Sequence, residues 1–235
     1  MKKIACIIQA RSDSKRLPNK ILKKILGKAV LEILIQRLKK CNRIDKIIIA
    51  TTNKKKDNQI IKIAKKNKVD YFRGNEFNVL KRYYDCGKKF KLENILRITS
   101  DCPLLDKRLI DKMIGIFLTS KVDYLSNTIK RTFPDGLDIE IFNFKSLQFA
   151  FKSARTRFQK EHVTQYFFID KNIKKKNFKN DIDLSKKRWT LDYHNDFLFI
   201  SSVFNFFKPD IHVSYKKILK YESKIKKIYL KQLIK

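Results

Sequence analysis

The segment QARSDSKRLPNK, residues 9–20, sets Arg11, Lys15, Arg16 and Lys20 beside Ser12 and Ser14. Guanidinium, ammonium and hydroxyl donors packed this closely suit a polyphosphate. The segment contains no glycine, so it is neither a Walker loop nor a dinucleotide fingerprint, and any phosphate grip must come from side chains and non-glycine amides. A basic loop in a lysine-rich chain needs no function by itself; two carboxylates give it a counterpart. SDCPLLD places Asp101 just after an apolar run, and RWTL places Asp192 in the corresponding position. A carboxylate pair converging on Mg²⁺ opposite a basic loop is the arrangement nucleotide chemistry requires. The competing reading makes each a helix cap, Asp101 ahead of Asp106 and Asp192 ahead of Asn195.

Elements that could bring these groups together follow from periodicity. Ile4 to Ile8, Lys46 to Thr51 and Asn94 to Thr99 are short apolar runs that read as buried strands. Between them Val30, Leu31, Leu34, Ile35 and Leu38 follow a helical period, as do Ile60, Ile61 and Ala64, and Val79, Leu80, Tyr83 and Tyr84. Alternating strands and helices imply crossovers between parallel strands, hence a Rossmann-like three-layer α/β/α fold with a mostly parallel central sheet. Ligands then belong at the strands' carboxyl ends. Beyond residue 105 the pattern is less regular. Helices are expected over Asp106 to Thr119, Phe158 to Ile169 and Asn195 to Phe207, and strands over Val122 to Ser126, Leu137 to Phe144 and Arg188 to Asp192. No repeat or linker divides residues 1–210, which read as one domain. Residues 211–235 read as a basic amphipathic helix whose stripe of Ile218, Tyr221, Ile225 and Ile228 packs on the domain or on a second subunit, so a homodimer is allowed.

Composition narrows the function classes. The 235 residues are 43% apolar and 12% aromatic, which excludes a disordered or collagen-like chain. The longest uncharged stretch, Phe197 to Phe207, falls well short of the roughly 20 residues a membrane-spanning helix needs. Ile4 to Ala10 between Lys3 and Arg11 is too short for a secretory core, so a cytoplasmic protein is expected, without membrane insertion. The formal charge of +33 would suit nucleic acid, but the lysines are spread along the chain, and a Lys-, Ile- and Asn-rich composition is what an AT-rich genome encodes by default. No nucleic-acid partner is expected. Cys6, Cys41, Cys86 and Cys102 show no C-x-x-C spacing and read as reduced thiols.

The motifs resemble those of the cytidylyltransferases of the CMP-sugar synthetase group, nearest the spore-coat polysaccharide branch related to CMP-Kdo and acylneuraminate synthetases. The loop is similar to the family's A-R-x-G-S-x-R-L-P-G-K, retaining Arg11, Ser14, Arg16, Leu17, Pro18 and Lys20. YFRGNEFNVLKRYYD, RITSDCPLLD, SNTIKRTFPDGLDIEIF, EHVTQYF and RWTLDYHNDF resemble further family blocks in the same order. The resemblance implies a nucleotide-diphospho-sugar transferase fold. It also implies a reaction in which a sugar hydroxyl, expected on an acidic sugar destined for surface polysaccharide, attacks the α-phosphorus of CTP and releases pyrophosphate. CTP and the sugar acceptor are the implied partners and Mg²⁺ the implied cofactor. Arg11, Lys20, Asp101 and Asp192 would be catalytic, with Asp101 and Asp192 on the metal. Arg11, Ser14, Arg16, Lys20, Arg73, Gly74 and Asn75 would bind the nucleotide.

For the acceptor, PDGLDIE offers Asp138 and Glu140 on one strand face and Gly136 for close backbone approach, while Arg131, Arg157 or His162 would meet an acceptor carboxylate. Family glycines fall at Asp13, Asn19 and Ser100, and Asp13 would set a negative charge beside the phosphates, offset by Lys15, Arg16 and Lys20. Two rivals stay open: an enzyme of this fold using another nucleoside triphosphate or a sugar 1-phosphate, and a basic nucleic-acid-binding protein on a degenerate enzyme fold.

Overall fold

The computed structural model describes residues 3–233. The three apolar runs form β1 (Ile4–Gln9), β4 (Lys46–Thr52) and β6 (Asn94–Thr99), parallel and adjacent, with β1 in the middle. Strand β5 (Asp70–Gly74) extends the parallel set beyond β4. On the other side, β8 (Glu140–Asn143) pairs antiparallel with β6, followed by β7 (Tyr124–Ser126) and β9 (Lys175–Asn177), giving the order β5-β4-β1-β6-β8-β7-β9. A small hairpin, β2 (Lys24–Ile25) with β3 (Lys28–Ala29), stands apart.

Residues buried on both faces explain the unbroken apolar runs in β1, β4 and β6. On one face Cys6, Ile8, Ile49, Leu96 and Ile98 join α1 (Val30–Leu38), α2 (Asn58–Lys66), α4 (Lys107–Thr119) and α8 (His194–Phe207). On the other, Ile7, Ile48 and Ile95 join α3 (Val79–Lys89), α5 (Phe144–Ser153) and α7 (Gln165–Ile169). The result is the expected three-layer α/β/α architecture. From β1 the chain builds outward through β4 and β5, then returns to add β6 on β1's other side, so the strand order reverses between β1 and β6. In such sheets ligands sit in the crevice at the carboxyl ends of the strands at this switch point.

Several elements differ from expectation. The segment 158–169 is two short helices, α6 (Arg157–Glu161) and α7, broken where Val163 takes φ 51°. Strand β8 starts only at Glu140, because Asn127 inserts its side chain between the Leu137 carbonyl and the Ile139 N–H. Residues 188–192 make one isolated bridge, Arg188 to Asp135, rather than a strand. The C-terminal helix is two, α9 (Tyr215–Lys220) and α10 (Glu222–Leu233), and Ile218 and Ile225 are fully buried in the core of this chain's own domain. No helix among the described residues is long and apolar enough to cross a membrane.

Candidate active site

Two loops flank the switch point, residues 10–20 after β1 and 100–106 after β6. The first is held by its own turns: Leu17 is buried, the Ser14 hydroxyl accepts from the Leu17 N–H, and Asn19 closes the loop by donating its N–H to the Ser12 carbonyl. Asn19 adopts φ 55°, the left-handed conformation that asparagine tolerates better than other side-chain-bearing residues. Asp13 and Ser100, the other two glycine replacements, have no left-handed backbone.

A buried carboxylate anchors this loop to its neighbour. Asp57, at the start of α2, is 1% exposed and accepts from the Ser12 N–H at 2.8 Å, the Ser12 hydroxyl at 2.6 Å and the Thr52 hydroxyl. Burial opposes its ionisation, but these donors outweigh burial and hold its carboxyl below the ordinary range. Nothing in the sequence marks Asp57, since two of its three hydrogen bonds come from Ser12 on another loop.

The third wall is the strip 188–192. Trp189 and Leu191 are buried, so alternation turns Arg188, Thr190 and Asp192 the other way. The Leu191 N–H donates to the Asp101 carbonyl at 2.8 Å and the Trp189 N–H to the Asp135 carbonyl at 2.6 Å, seating the strip against the loop after β6 and against the segment ahead of β8. Gly136, φ 108°, permits this contact: a Cβ there would meet the backbone of Trp189 and Thr190 at 2.5 Å. Gly136 therefore serves chain packing and leaves no room there for a sugar.

Asp101 and Asp192, from different loops, converge on one group. Lys20 Nζ lies 2.7 Å from Asp101 Oδ2 and 2.9 Å from Asp192 Oδ1, with Arg16 2.8 Å from the same Asp192 oxygen. Burial opposes the charge on Lys20, but the two carboxylates outweigh it and hold the ammonium's pKa above its usual value. Burial likewise opposes ionisation of Asp192, and Lys20, Arg188 and Arg16 reverse the direction, holding its carboxyl below the ordinary range. Neither aspartate is a helix cap. Asp106 caps α4 through its own side chain, and at α8 the Asp196 carboxylate accepts from the Asp192 and Tyr193 N–H groups. Arg188 spans Asp196, Asp135 and Asp192, the last at 3.0 Å, a bracing role missed from sequence.

The carboxylate pair fits a divalent cation of the Mg²⁺ type. Two hard oxygen ligands already share one cationic group, Lys20, and Mg²⁺ is ordinarily held by one or two carboxylates together with substrate phosphates. Among the described residues no cluster of three metal-ligating side chains occurs.

Other expected site residues are placed differently. Arg11 is exposed and forms no hydrogen bond or ion pair among the described residues, which leaves its guanidinium available to phosphate. Arg73 is committed to bracing the loop after β4, donating to the Thr52 and Lys54 carbonyls and to Asn58. A Cβ on Gly74 would come within 2.9 Å of Arg82 and Phe72, so Gly74 makes room for Arg82, whose guanidinium donates to the Asn75 carbonyl. The Asn75 side chain closes its own turn onto the Phe77 and Asn78 N–H groups. Asp138 is paired with Arg131 on the rim. Glu140 is 5% exposed and locked by Arg97 and Tyr124, so it does not face an acceptor as the expected strand alternation implied. His162 ends α6 and lies against Phe158, ring centroids 4.5 Å apart, without joining the carboxylate cluster. Asp13 is offset by Lys56 and Lys54 rather than by its loop neighbours, and Lys56 above all holds its carboxyl below the ordinary range. All four cysteines are buried and free, and burial pushes the Cys102 thiol up, away from nucleophilic use.

Comparisons with known proteins identify the family. The sequence model described as cytidylyltransferase matches residues 5–232. An uncharacterised protein of Methanocaldococcus jannaschii is 41% identical over 198 residues, 83% of this chain and 80% of that one. The spore coat polysaccharide biosynthesis protein SpsF of Bacillus subtilis is 33% identical over 172 residues, 71% and 70% of the two chains. Among solved structures, a cytidylyltransferase from Leptospira borgpetersenii superposes with a TM-score of 0.93 at 32% identity, covering 97% of each chain.

Proposed function

Since the chain belongs to the cytidylyltransferase family, we propose that it transfers CMP from CTP to a hydroxyl of an acidic sugar, with Mg²⁺, releasing pyrophosphate for surface-polysaccharide synthesis. The observation that carries this reading is the meeting of Asp101 and Asp192 on Lys20 at the switch point, with Arg11 free on the adjoining loop.

In the proposed reaction the sugar oxygen forms a bond to the α-phosphorus, the bond from that phosphorus to the bridging oxygen of pyrophosphate breaks, and the hydroxyl loses its proton. Negative charge then builds on the α-phosphate and on the leaving group. Catalysis of such a step is chiefly positioning and electrostatic stabilisation. Asp101 and Asp192 would hold Mg²⁺, which would supply positive charge to the α-phosphate and make the attacking hydroxyl more acidic. Arg11 grips phosphate oxygens with a forked donor set, and Lys20, released from the carboxylates, neutralises a phosphate in their place. Asp57 keeps Ser12 and hence the loop in position, and Arg188 keeps Asp192 facing the cleft.

Thermal unfolding with each of the four nucleoside triphosphates and Mg²⁺ tests the nucleotide assignment. Protection by CTP above the other three is expected. Stronger protection by another triphosphate would overturn it.

A further inference from the structure

On the α3-facing side of the sheet a row of polar groups leads up to the cleft. Ile7 packs in the core on that face, and alternation puts Gln9, the last residue of β1, on the same side. Arg97 is the register partner of Ile7 on β6 and of Glu140 on β8. Arg97 pairs with one oxygen of Glu140, and the Tyr124 hydroxyl donates to the other at 2.6 Å. Burial opposes the charge on Arg97, but Glu140 outweighs it and holds the guanidinium's pKa above its ordinary value. Arg97 Nη2 then donates to Gln9 Oε1 at 3.3 Å. A guanidinium has donors only, so the Gln9 atom facing it is the carbonyl oxygen, and the NH₂ group is turned the other way. No described residue accepts a hydrogen bond from that NH₂, and Gln9 is half-buried at the carboxyl end of the central strand.

The opposite wall of this end of the cleft is the turn from Gly74 into α3. There Arg82 is fully buried, and its Nε and Nη2 donate to no described residue; Arg97 Nε is likewise unpartnered. Among the unpartnered buried polar atoms of the described residues these three guanidinium nitrogens outnumber the one hydroxyl, Thr51 Oγ1. Buried polar groups are nearly always paired, so a ligand presenting acceptors suits this surrounding better than one presenting donors.

We infer that Gln9, its carboxamide oriented by the Arg97–Glu140 pair, is the residue that selects the base, donating from its NH₂ to the O2 and N3 edge of cytosine. In cytosine O2 and N3 are adjacent acceptors. In uracil N3 carries a hydrogen, which would face a donor that Arg97 prevents from flipping. Arg97 is a positioning residue in this scheme, acting only through Gln9. The inference rests on the CTP-dependent reading and deepens it by naming the group that distinguishes CTP from UTP.

The experiment is calorimetric titration of the full chain with CTP and with UTP in Mg²⁺, for wild type, Gln9→Ala and the isosteric Gln9→Glu. Gln9→Ala should lower the CTP-over-UTP affinity ratio about tenfold, the effect of one lost hydrogen bond with its partner left unpaired. Gln9→Glu keeps the pairing with Arg97 but presents an acceptor, and should lower the ratio further by weakening CTP more than UTP. A merely structural role for Gln9 would weaken both nucleotides alike. Wild type preferring CTP with the ratio unchanged in both variants overturns the inference and leaves the proposed function standing. Wild type with no preference for CTP overturns the proposed function, and the inference with it.

Discussion

Removing the Asp57 carboxylate should loosen the nucleotide loop without touching any group proposed to meet substrate. Asp57 takes hydrogen bonds from the Ser12 N–H, the Ser12 hydroxyl and the Thr52 hydroxyl in a site from which water is excluded. In Asp57→Asn the amide oxygen can keep both the Ser12 N–H and the Ser12 hydroxyl, and the Thr52 hydroxyl can rotate to receive from the new NH₂, so what is lost is charge assistance. Bonds to a charged group are worth about 1.5–3 kcal/mol and neutral ones about 1, and the neutral amide is cheaper to bury, so a net loss of about 1–2 kcal/mol is expected. In Asp57→Ala all three donors lose their partner, at about 1 kcal/mol or more each, for a total of about 3–4 kcal/mol. At about 2–4 °C per kcal/mol for a chain of this size, Tm should fall by about 10 °C in the alanine variant. CTP affinity should fall in parallel, because Ser12 no longer fixes the loop that carries Arg11.

The pH dependence has a defined sign: the folded-state pKa is depressed, so the contribution is complete above the ordinary aspartate value of about 3.9 and is lost as pH falls through the lower folded value. The stability gap between wild type and Asp57→Asn should therefore be constant near neutrality and close in acid. An Asp57→Ala protein with Tm within about 2 °C of wild type and unaltered CTP affinity would refute the reasoning, given the size expected for three orphaned buried donors.

Other substitutions probe the frame around the carboxylates. Gly136→Ala forces a Cβ into the Trp189–Thr190 backbone at a φ disfavoured for L-residues, so it should cost more than about 2 kcal/mol and displace Asp192; a stable, active variant by denaturant unfolding and turnover would contradict that packing. Asn19→Ala should cost about 1 kcal/mol where Asn19→Gly stays within about 0.5, because only the alanine suffers in left-handed backbone; the reverse order in urea unfolding would count against it. Asp13→Gly frees Lys56, while Lys54 keeps Glu76, and should tighten CTP binding several-fold at low salt, with the gain fading as ionic strength rises; a salt-independent change would point to loop geometry instead.

What could be read from the sequence depended on how each element is buried. Strands β1, β4 and β6 announce themselves because two covered faces demand continuous apolar runs. Strand β5, DYFRG, is a half-exposed edge with no such run and was missed, as was the two-residue pairing of β2 with β3. The break at Val163 was not legible either, since a β-branched residue with positive φ is dictated by packing rather than by propensity. Asp101, Asp192 and Lys20 were found through spacing and motif, and the structure brings them together. Of their supports, Asp57 acquires its meaning from Ser12 and Arg188 from Asp135, both remote in sequence, while Asp196 caps its own helix and carries no motif. The opposite error has the same origin: Arg73, Glu140 and Gly136 sit in the right motifs, but their neighbours in space have already claimed them.

The central claim is that Asp101 and Asp192 form one metal-dependent centre for cytidylyl transfer. The most direct test is pyrophosphate release with CTP, Mg²⁺ and a panel of acidic sugars, comparing wild type with Asp101→Asn and Asp192→Asn and checking each fold by circular dichroism. The account predicts turnover by wild type that chelation abolishes, and a loss of roughly two to three orders of magnitude in either folded variant. Near-normal release by a folded Asp101→Asn or Asp192→Asn protein, or wild-type turnover that survives chelation, would contradict it.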